Sequence, residues 1–359
     1  MIRPAKYKDF AAIKNIFEVA FSDEYKQRGL DIVDRINRWQ QLYPVVKLLA
    51  SFHNPYQHLF NVHVYEDETD NKIGGLIQTS ARSKDQTRWH VENIAVLPDH
   101  RGKGIAKQLL NYMFDTYMNL GVNRFTLEVD ISNDAAIKLY ESIGFRKYTT
   151  IHYFKIPPKK LADFKKETVS IPEGFRTYKP ADAQASFDLY MACTPSSIRI
   201  VDQKELSDFH ENPIEQVSKY IKEYTKRCNQ VHFVVEKDNM IIGSLEIVAQ
   251  YRKLPHVIRL LVHPGYEHLN ETLLQYAFNF LMDYPARSVL VAASEHQKAK
   301  LEVIKSMKLK TVSSDYLMVK DNLQIVTLSD TNTESTKSEK MNFKPIFNKK
   351  DYAIRKNSR

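Results

Sequence analysis

The pattern of apolar and polar positions predicts helices that alternate with strands over residues 2–156. Apolar residues from Ala11 to Phe21 recur every three or four positions, the spacing of an amphipathic helix, and a longer helix of this kind is predicted over Gly104–Leu120. Runs of apolar residues between turn residues predict the strands. These strands are Val62–Tyr65, Ile73–Thr79, His90–Leu97, Phe125–Val129 and Arg146–Ile156, and a short helix is predicted over Ala135–Ser142.

The same pattern begins again after a lysine-rich stretch that opens with Pro157 and Pro158, which lack the N–H group that a central strand needs. Short segments of the first part recur in order in the second. Ile2-Arg3 before Asp9 recurs as Phe175-Arg176 before Asp182, and Ile94–Pro98 recurs as Leu260–Pro264. The sequence therefore predicts a duplicated α/β (α+β) fold, with a first domain over residues 1–157, a linker over 158–170, a second domain over 171–328 and a disordered basic tail over 329–359.

Composition narrows the class of protein. A chain of 359 residues with 43% hydrophobic residues is longer than one core ordinarily uses and is not globally disordered. No apolar run approaches the ~18 residues of a membrane span, and the first residues lack the apolar core of a signal peptide. The two cysteines, Cys193 and Cys228, cannot build a disulfide framework. We therefore expect a cytoplasmic protein that does not contact a membrane.

The net charge of +9 first suggests an anionic partner such as a nucleic acid. Residues 341–359 carry six basic residues and one acidic residue, so more than half of the excess belongs to the tail. No zinc-ligand spacing or RNA-recognition motif accompanies the charge. We expect no nucleic-acid partner, and the sequence leaves the oligomeric state open.

The segment Asn93–Ala106 is predicted to form the end of a strand, a glycine-rich turn and the start of a helix. Such a turn directs several backbone N–H groups toward one place at the positive end of the helix dipole. Gly102 and Gly104 allow a phosphate to approach the backbone closely, and Arg101 and Lys103 add positive charge. The spacing is neither a Walker A motif nor a Rossmann fingerprint. It predicts an anion-binding loop, and the anion that we expect is a pyrophosphate.

A second motif, Asn133–Phe145, follows the loop, and the two together resemble the GNAT superfamily of acyl-CoA-dependent N-acetyltransferases. Arg101-x-x-Gly104-x-Ala106 fits that family's R/Q-x-x-G-x-G/A loop. The resemblance covers residues 1–156. It implies two tandem GNAT folds, each a mixed, mostly antiparallel sheet flanked by helices, with a V-shaped splay between the central strands. It also implies acetyl-CoA as co-substrate and no metal.

The resemblance implies which residues contact the acyl-CoA. In the family the pantetheine arm lies in the splay and pairs with strand backbone, the loop amides bind the pyrophosphate, and the second motif adjoins the pantetheine arm and the thioester. The cofactor-binding residues implied in this way are Ile94, Ala95, Val96, Arg101, Gly102, Lys103, Gly104, Ile105, Ala106, Asn133, Ala136 and Tyr140.

Catalysis by direct transfer to an amine needs an acid and a base. By resemblance, Tyr140 donates a proton to the leaving thiolate, a role that suits a phenol because it is neutral at pH 7 and can donate. Glu92 and His90 share a strand face by period-two alternation, and either could accept the proton of the amine, directly or through water. Glu92 is preferred because a carboxylate also attracts a cationic amine. By resemblance, acceptor specificity comes largely from the region between the first two helices, here residues 22–58. Its acidic and aromatic side chains would suit an amine-bearing molecule, which the sequence does not identify.

The second repeat keeps the framework but not these residues. Its loop, Pro264–Glu271, carries Glu267 and Glu271 where a phosphate would need donors. The positions of Asn133, Tyr140 and Gly144 are taken by Gln297, Ile304 and Lys308. We expect residues 171–328 to form a degenerate GNAT-like domain that shapes the acceptor cleft of the first.

The function predicted is transfer of an acetyl group from acetyl-CoA to a primary amine of a small molecule or peptide, with the active site in the first domain. One alternative is a small-molecule acetyltransferase that resembles mycothiol synthase. A different class is a non-catalytic acyl-CoA sensor or scaffold. The presence of Asn133, Tyr140 and the whole loop favours an enzyme.

Overall fold

A computed structural model describes residues 1–28, 36–37, 40–41, 43, 61–83, 85–164, 169–210 and 213–322, without the side chains of residues 22–28 and 213–216. Most of the predicted acceptor-binding region and the whole predicted tail lie outside the described residues. The chain forms two compact units. The first consists of the described parts of residues 1–20, 33–125 and 321–359, and the second of those of residues 21–32 and 126–320.

Four strands of the first unit form an antiparallel sheet in the order β1-β2-β3-β4. They are β1 (Ile2–Pro4), β2 (Asn61–Glu66), β3 (Ile73–Ala81) and β4 (Arg88–Val96). Helix α1 (Phe10–Arg28) begins in this unit, and α2 (Ile105–Met118) packs against β2, β3 and β4. Leu109, Leu110 and Met113 of α2 are fully buried. The predicted amphipathic pattern of α2 is therefore confirmed, and its apolar face covers the sheet.

The second unit contains a sheet in the order β5-β12-β6-β11-β10-β9-β8-β7, in which β10 and β11 are parallel. The strands are β5 (Arg124–Asp130, which begins at the end of the first unit), β6 (Arg146–Ile156), β7 (Phe175–Thr177), β8 (Cys228–Lys237), β9 (Met240–Gln250), β10 (His256–Val262), β11 (Val289–Ser294) and β12 (Lys310–Asp321). The helices are α3 (Asp134–Ser142), α4 (Pro158–Leu161), α5 (Ala183–Cys193), α6 (Ser196–Asp202), α7 (Pro213–Tyr224), α8 (Leu269–Leu281) and α9 (Lys298–Ser306).

The core of the second unit lies beneath α8, where Leu273, Leu274 and Phe278 are fully buried in one cluster with residues of β9, β10 and β11. Helix α5 also packs on β9 and β10. The predicted helices and strands of residues 62–156 are all present, with ends that differ by a few residues. Among the described helices, none has the length and apolar character needed to cross a membrane.

Two strands are exchanged between the repeats. β6 follows α3 in the first repeat (residues 2–156), and β12 follows α9 in the second (residues 175–321), so the two strands correspond. Yet β12 lies between β5 and β6, and β6 lies between β12 and β11. Each repeat therefore ends beside a strand of the other. The domain boundaries at residues 157 and 171 stay a prediction, and a cut there would separate β6 from β12.

The duplication extends to an ion pair at the start of each repeat. Arg3 binds Asp9 with an Nη1–Oδ2 distance of 2.6 Å, and Arg176 binds Asp182 with the corresponding distance of 2.7 Å. In both places the aspartate also accepts a backbone N–H from the residue three positions before it, at 2.7 Å. Because the same side chains make the same contacts, the recurrence predicted from sequence reflects a repeated local structure.

Candidate active site

A β-bulge in β4 places the predicted base. Val91 pairs with Thr79 of β3 and Asn93 pairs with Gln78, so Glu92 is an extra residue without a register partner. At such a bulge the alternation of faces is broken. Asn93 Nδ2 donates a hydrogen bond to Gln78 Oε1 at 2.9 Å. The bulge thus turns the consecutive side chains of Glu92 and Asn93 toward the same row of β3 side chains.

Glu92 interacts with two polar side chains of that row. Its Oε1 accepts a hydrogen bond from Ser80 Oγ at 2.5 Å and from Arg82 Nη2 at 2.9 Å. The Glu92 side chain keeps a quarter of its surface exposed. The guanidinium and the hydroxyl both favour the charged carboxylate. Sequence reasoning did not single out Ser80 or Arg82; counting every second residue along β3 from Gln78 would have found them only if the bulge were known.

His90, the other predicted base, is buried on the same strand. Burial, together with the charge of Arg82, lowers the pKa of His90 to about 4. An imidazole with so low a pKa is neutral at pH 7 and is a weak proton acceptor. Glu92 differs from His90 in its negative charge and in its access to solvent, which also allow it to attract a cationic amine. Its role as the base stays a prediction.

The predicted anion-binding loop joins β4 to α2. Gly102 and Gly104 have φ values of +77° and +73°, and a Cβ atom at either position would meet no atom within 4 Å. Residues 101–104 are exposed, including the side chains of Arg101 and Lys103. The first hydrogen bond of α2 runs from Gln108 N to Gly104 O, so the amides of residues 105–107 precede the bonded helix. An open, left-handed loop at a helix start, with two cations, fits a pyrophosphate.

The strand residues predicted to contact pantetheine lie at the end of β4. Ile94, Ala95 and Val96 are in register with Ile77, Leu76 and Gly75 of β3. Ala95 is buried, whereas Ile94 and Val96 are half-buried. The Val96 carbonyl accepts a hydrogen bond from Arg101 Nε at 3.2 Å. A ligand that used this carbonyl would therefore share it with Arg101 or replace the Arg101 contact.

The remaining predicted residues lie on α3, in the second unit. Asn133 is the N-cap of α3, and its Oδ1 accepts the N–H of Ala136 at 3.1 Å, which leaves the Nδ2 amide as a donor. Tyr140 is buried, packs edge-on against Phe145 with ring centroids 5.9 Å apart, and makes no hydroxyl hydrogen bond to another described residue. Burial raises the pKa of Tyr140 to about 12, so the phenol keeps its proton at neutral pH.

The corresponding places in the second repeat have a different chemistry. Ile304, at the position of Tyr140, is completely buried. Gln297 Oε1 accepts the N–H of Ser294 at 3.1 Å. In the loop, the Gly265 N–H is already bound to His263 Nδ1 at 3.1 Å, and no residue from 263 to 270 has a positive φ. The open left-handed loop is thus a property of the first repeat.

The surroundings of Cys193 do not favour a reactive thiolate. Cys193 is half-buried, and its Sγ donates to the carbonyl of Val262 at 3.2 Å. Burial raises the pKa of the Cys193 thiol to about 12, which disfavours a thiolate. Across the part of the chain that the structure describes, no three histidine, cysteine, aspartate or glutamate side chains are grouped so that they could bind a metal ion.

The duplicated mixed sheet, the bulged strand and the loop before α2 define the class of protein. The chain belongs to the GNAT family of N-acetyltransferases: the family model described as acetyltransferase (GNAT) family matches residues 11–145. An uncharacterized N-acetyltransferase of Methanocaldococcus jannaschii is 31% identical over 126 residues, which are 34% of this chain and 76% of that protein. The predicted family and enzyme class are confirmed.

Two further relatives have names that state an activity. N-alpha-acetyltransferase 30 of Schizosaccharomyces pombe is 26% identical over 117 residues, 31% of this chain and 78% of the relative. The ribosomal protein bS18-alanine N-acetyltransferase of Escherichia coli is 47% identical over 57 residues, 16% of this chain and 38% of the relative. The second match is therefore high in identity but spans well under half of that enzyme.

Solved structures show that the duplicated fold has precedents. A GCN5-related N-acetyltransferase from Sphaerobacter thermophilus aligns over 92% of this chain and 98% of its own, with a TM-score of 0.60 and 15% identity. A tandem GNAT protein from the clavulanic acid biosynthesis pathway aligns over 90% of this chain and 98% of its own, with a TM-score of 0.55 and 13% identity. At these identities the likeness concerns the fold, and it confirms the predicted tandem GNAT architecture.

Proposed function

We propose that the first repeat transfers an acetyl group from acetyl-CoA to the amino group at the N-terminus of a protein or peptide. The observation that carries the proposal is the exposed loop of residues 101–104, whose two left-handed glycines are present in the first repeat and have no counterpart in the second. The acceptor class is supported by relatives whose names state an activity, among them an N-alpha-acetyltransferase and an alanine N-acetyltransferase of a ribosomal protein.

The chain's residues would bind acetyl-CoA along its length. The amides of residues 101–106 and the side chains of Arg101 and Lys103 bind the pyrophosphate, and the backbone of residues 94–96 binds the pantetheine arm. Asn133 donates its Nδ2 amide to the same arm, with Ala136 as an apolar neighbour. Acetyl-CoA supplies an activated acyl group as a thioester. Two of these groups are already engaged, since Arg101 Nε donates to the Val96 carbonyl at 3.2 Å and the Arg101 N–H donates to the Pro98 carbonyl at 3.1 Å. Acetyl-CoA would share or replace these two contacts.

Glu92 and Tyr140 would carry the proton transfers. Glu92 accepts the proton that the amine loses while the new C–N bond forms, and Tyr140 donates a proton to the sulfur when the C–S bond breaks. An acceptor that arrives as an ammonium group first loses one proton to solvent. After the transfer a proton passes through solvent from the Glu92 carboxyl to the Tyr140 phenolate, so both groups return to their starting forms, and the net reaction is an amine and a thioester giving an amide and a thiol. The exposed, charged carboxylate and the buried, protonated phenol suit these opposite roles.

The acceptor side would be formed by the polar face of β3 and β4. Gln78, Ser80 and Arg82 follow one another on this face, and Asn93 and Glu92 meet them from β4. The Glu92 carboxylate is shared with the Arg82 guanidinium, and its second oxygen would be the acceptor for an ammonium group. The neutral amides and the hydroxyl of the face suit a neighbouring peptide bond, because the peptide also needs donors and acceptors. A small amine without a peptide bond would use less of this face.

The test is acetyl-CoA turnover, followed by release of free thiol, with a panel of acceptors. The panel contains peptides that begin with alanine, serine or methionine, the same peptides with a blocked N-terminus, lysine side chains, polyamines and amino sugars. Turnover with the free peptides and none with their blocked forms supports the proposal. Turnover confined to small amines would contradict the proposed acceptor, and no turnover with the whole panel would favour the non-catalytic sensor.

A further inference from the structure

A buried lysine lies in the second repeat at a position that the proposed chemistry does not use. Lys300 is on α9, has only 6% of its surface exposed, and donates a hydrogen bond from Nζ to the carbonyl of Leu260 at 2.9 Å. A lysine so deeply buried is unusual and needs a compensating partner. Here the partner is a main-chain oxygen of β10, so the lysine links α9 to the sheet.

The strand registers show which residue of the first repeat corresponds to Leu260. Gly243 of β9 pairs with Val262 of β10, as Gly75 pairs with Val96 in the first repeat. Two residues earlier on each strand, Leu260 corresponds to Ile94. Ile94 is one of the residues proposed to contact the pantetheine arm through its backbone.

The start of α9 identifies the counterpart of Lys300 in the same way. Gln297 is the N-cap of α9, and Asn133 is the N-cap of α3. Three residues further on, Lys300 corresponds to Ala136, the other residue proposed to adjoin the arm. The two positions that are proposed to contact cofactor in the first repeat are therefore bonded to each other in the second.

The sheet explains why the Leu260 carbonyl needs a donor. The parallel pairing of β10 with β11 runs from His256 opposite Val289 to Ile258 opposite Val291, and it ends before Leu260 is reached. A buried carbonyl beyond the last pair has to be satisfied by another group. The Lys300 side chain reaches from α9 to provide that group, whereas a methyl group, as in alanine, could not.

We propose that Lys300 is an internal substitute for the pantetheine arm, which closes the gap between β10 and β11 and keeps the second repeat from binding acyl-CoA. The inference rests on the proposed function, because it takes Ile94 and Ala136 as cofactor-binding residues. Burial lowers the pKa of Lys300 to about 7, which reduces the energetic cost of keeping the amine in an apolar place. The completely buried Ile304 lies one turn further along α9 and adds to the same apolar filling.

The experiment is hydrogen–deuterium exchange of the full chain, followed at residues 256–262 and 94–106. The probe for the second repeat is pantetheine, which has no phosphates and so does not depend on the loop of residues 263–270. Three proteins are compared: the wild type, Lys300→Ala, which opens the gap, and Lys300→Met, which fills it without a donor. Acetyl-CoA is added separately to the wild type, with exchange at residues 94–106 as the readout of the first repeat.

Pantetheine is expected to leave exchange at residues 256–262 unchanged in the wild type and in Lys300→Met, and to slow it about twofold or more in Lys300→Ala. Slower exchange of these residues in the wild type would overturn the proposal, and so would a folded Lys300→Ala protein that shows no effect. If Lys300→Ala does not fold, the wild type and Lys300→Met are compared instead: unchanged exchange at residues 256–262 with pantetheine supports the proposal, and slower exchange contradicts it. A wild type in which acetyl-CoA leaves residues 94–106 unchanged would instead refute the proposed function.

Discussion

At the scale of single residues, the two proposed catalytic groups have opposite surroundings. Glu92 is partly exposed between a hydroxyl and a guanidinium, and Tyr140 is buried against an aromatic ring. Such surroundings keep one group deprotonated, as a proton acceptor, and the other protonated, as a proton donor, at the same pH. Tyr140 and Asn133 were proposed from the motif in the sequence, and their roles stay predictions. The partners of Glu92 could not be predicted, because cross-strand contacts depend on the register, which the bulge shifts.

Replacing the Tyr140 hydroxyl tests its role as the acid. Tyr140→Phe is expected to lower kcat about 100-fold, the low end of the effect of a general acid, while acetyl-CoA binds with unchanged affinity. Stability should not fall, because the hydroxyl has no hydrogen-bond partner among the described residues. Steady-state kinetics and calorimetric titration measure the two effects. Tyr190→Phe, a change at a similarly buried tyrosine of the second repeat, is the control and should leave kcat unaltered.

Lys300 gives the stability of the chain a particular dependence on pH. Its pKa is about 7 in the folded protein and 10.5 for an ordinary lysine, so between these values the unfolded chain binds a proton that the folded chain does not. The free energy of unfolding should therefore rise with pH in this window, by up to about 1.4 kcal/mol per pH unit from this group. Below pH 7 the contribution is constant, because both states are protonated.

The measurement is the difference in unfolding free energy between the wild type and Lys300→Met, taken by urea denaturation from pH 7 to pH 10. Other groups titrate in both proteins, so the difference isolates Lys300. The advantage of Lys300→Met should be largest at pH 7 and shrink as the pH rises. A difference that does not vary with pH would show that the Lys300 pKa is ordinary.

At the scale of elements, the loop between β4 and α2 was predicted more completely than the strand before it. The glycine spacing alone indicated an anion-binding turn, and both glycines have the left-handed conformation that only glycine adopts freely. The bulge of β4 has no comparable signature in the sequence, because an extra residue in one strand is defined only by the pairing with the neighbouring strand. For the same reason the period-two alternation that predicted Glu92 and His90 on one face could not predict that Asn93 also faces Gln78 of β3.

A pair of glycine substitutions separates cofactor binding from backbone strain. Gly104 and Gly121 have φ values of +73° and +83°, and at both positions an added methyl group would point into open space. Gly121 is the control because it follows the end of α2, away from the loop. Gly104→Ala and Gly121→Ala should each cost about 1 kcal/mol of stability or more. Only Gly104→Ala is expected to weaken acetyl-CoA binding, by about tenfold, because it shifts the amides that bind the pyrophosphate. Equal affinity of the two variants would remove the loop from the proposed site.

At the scale of the whole molecule, the duplication was visible in the sequence and the exchange of strands was not. Recurring segments such as Ile94–Pro98 and Leu260–Pro264 identify the repeats. The choice of neighbours for β6 and β12 could not be predicted, because both strands follow equivalent helices and either could complete either sheet. The observed order places β12 between β5 and β6. The two repeats therefore depend on each other for their sheets.

This dependence predicts the outcome of a truncation at the predicted boundary. A chain of residues 1–157 lacks β12 and β11, so β6 loses both of its neighbours and β5 loses β12. Such a fragment should not form a stable monomer, because unpaired strand edges and exposed apolar surface favour aggregation or self-association. Size-exclusion chromatography and circular dichroism are the measurements. A monomeric fragment with a cooperative melting transition like that of the full chain would show that the first repeat is self-sufficient.

Mass spectrometry of an alanine-initiated peptide incubated with acetyl-CoA shows whether the first repeat contains the acetyltransferase site. Two variants are compared, Glu92→Gln and Glu246→Gln. Each removes the charge of a strand carboxylate that is paired with an arginine, and in the second case the partner is Arg259, at 3.0 Å from Glu246. The wild type and Glu246→Gln are expected to add one acetyl group to the peptide N-terminus, and Glu92→Gln is expected to do so about 100-fold more slowly. No acetylation by the wild type, or equal rates for the two variants, would contradict an acetyltransferase site in the first repeat.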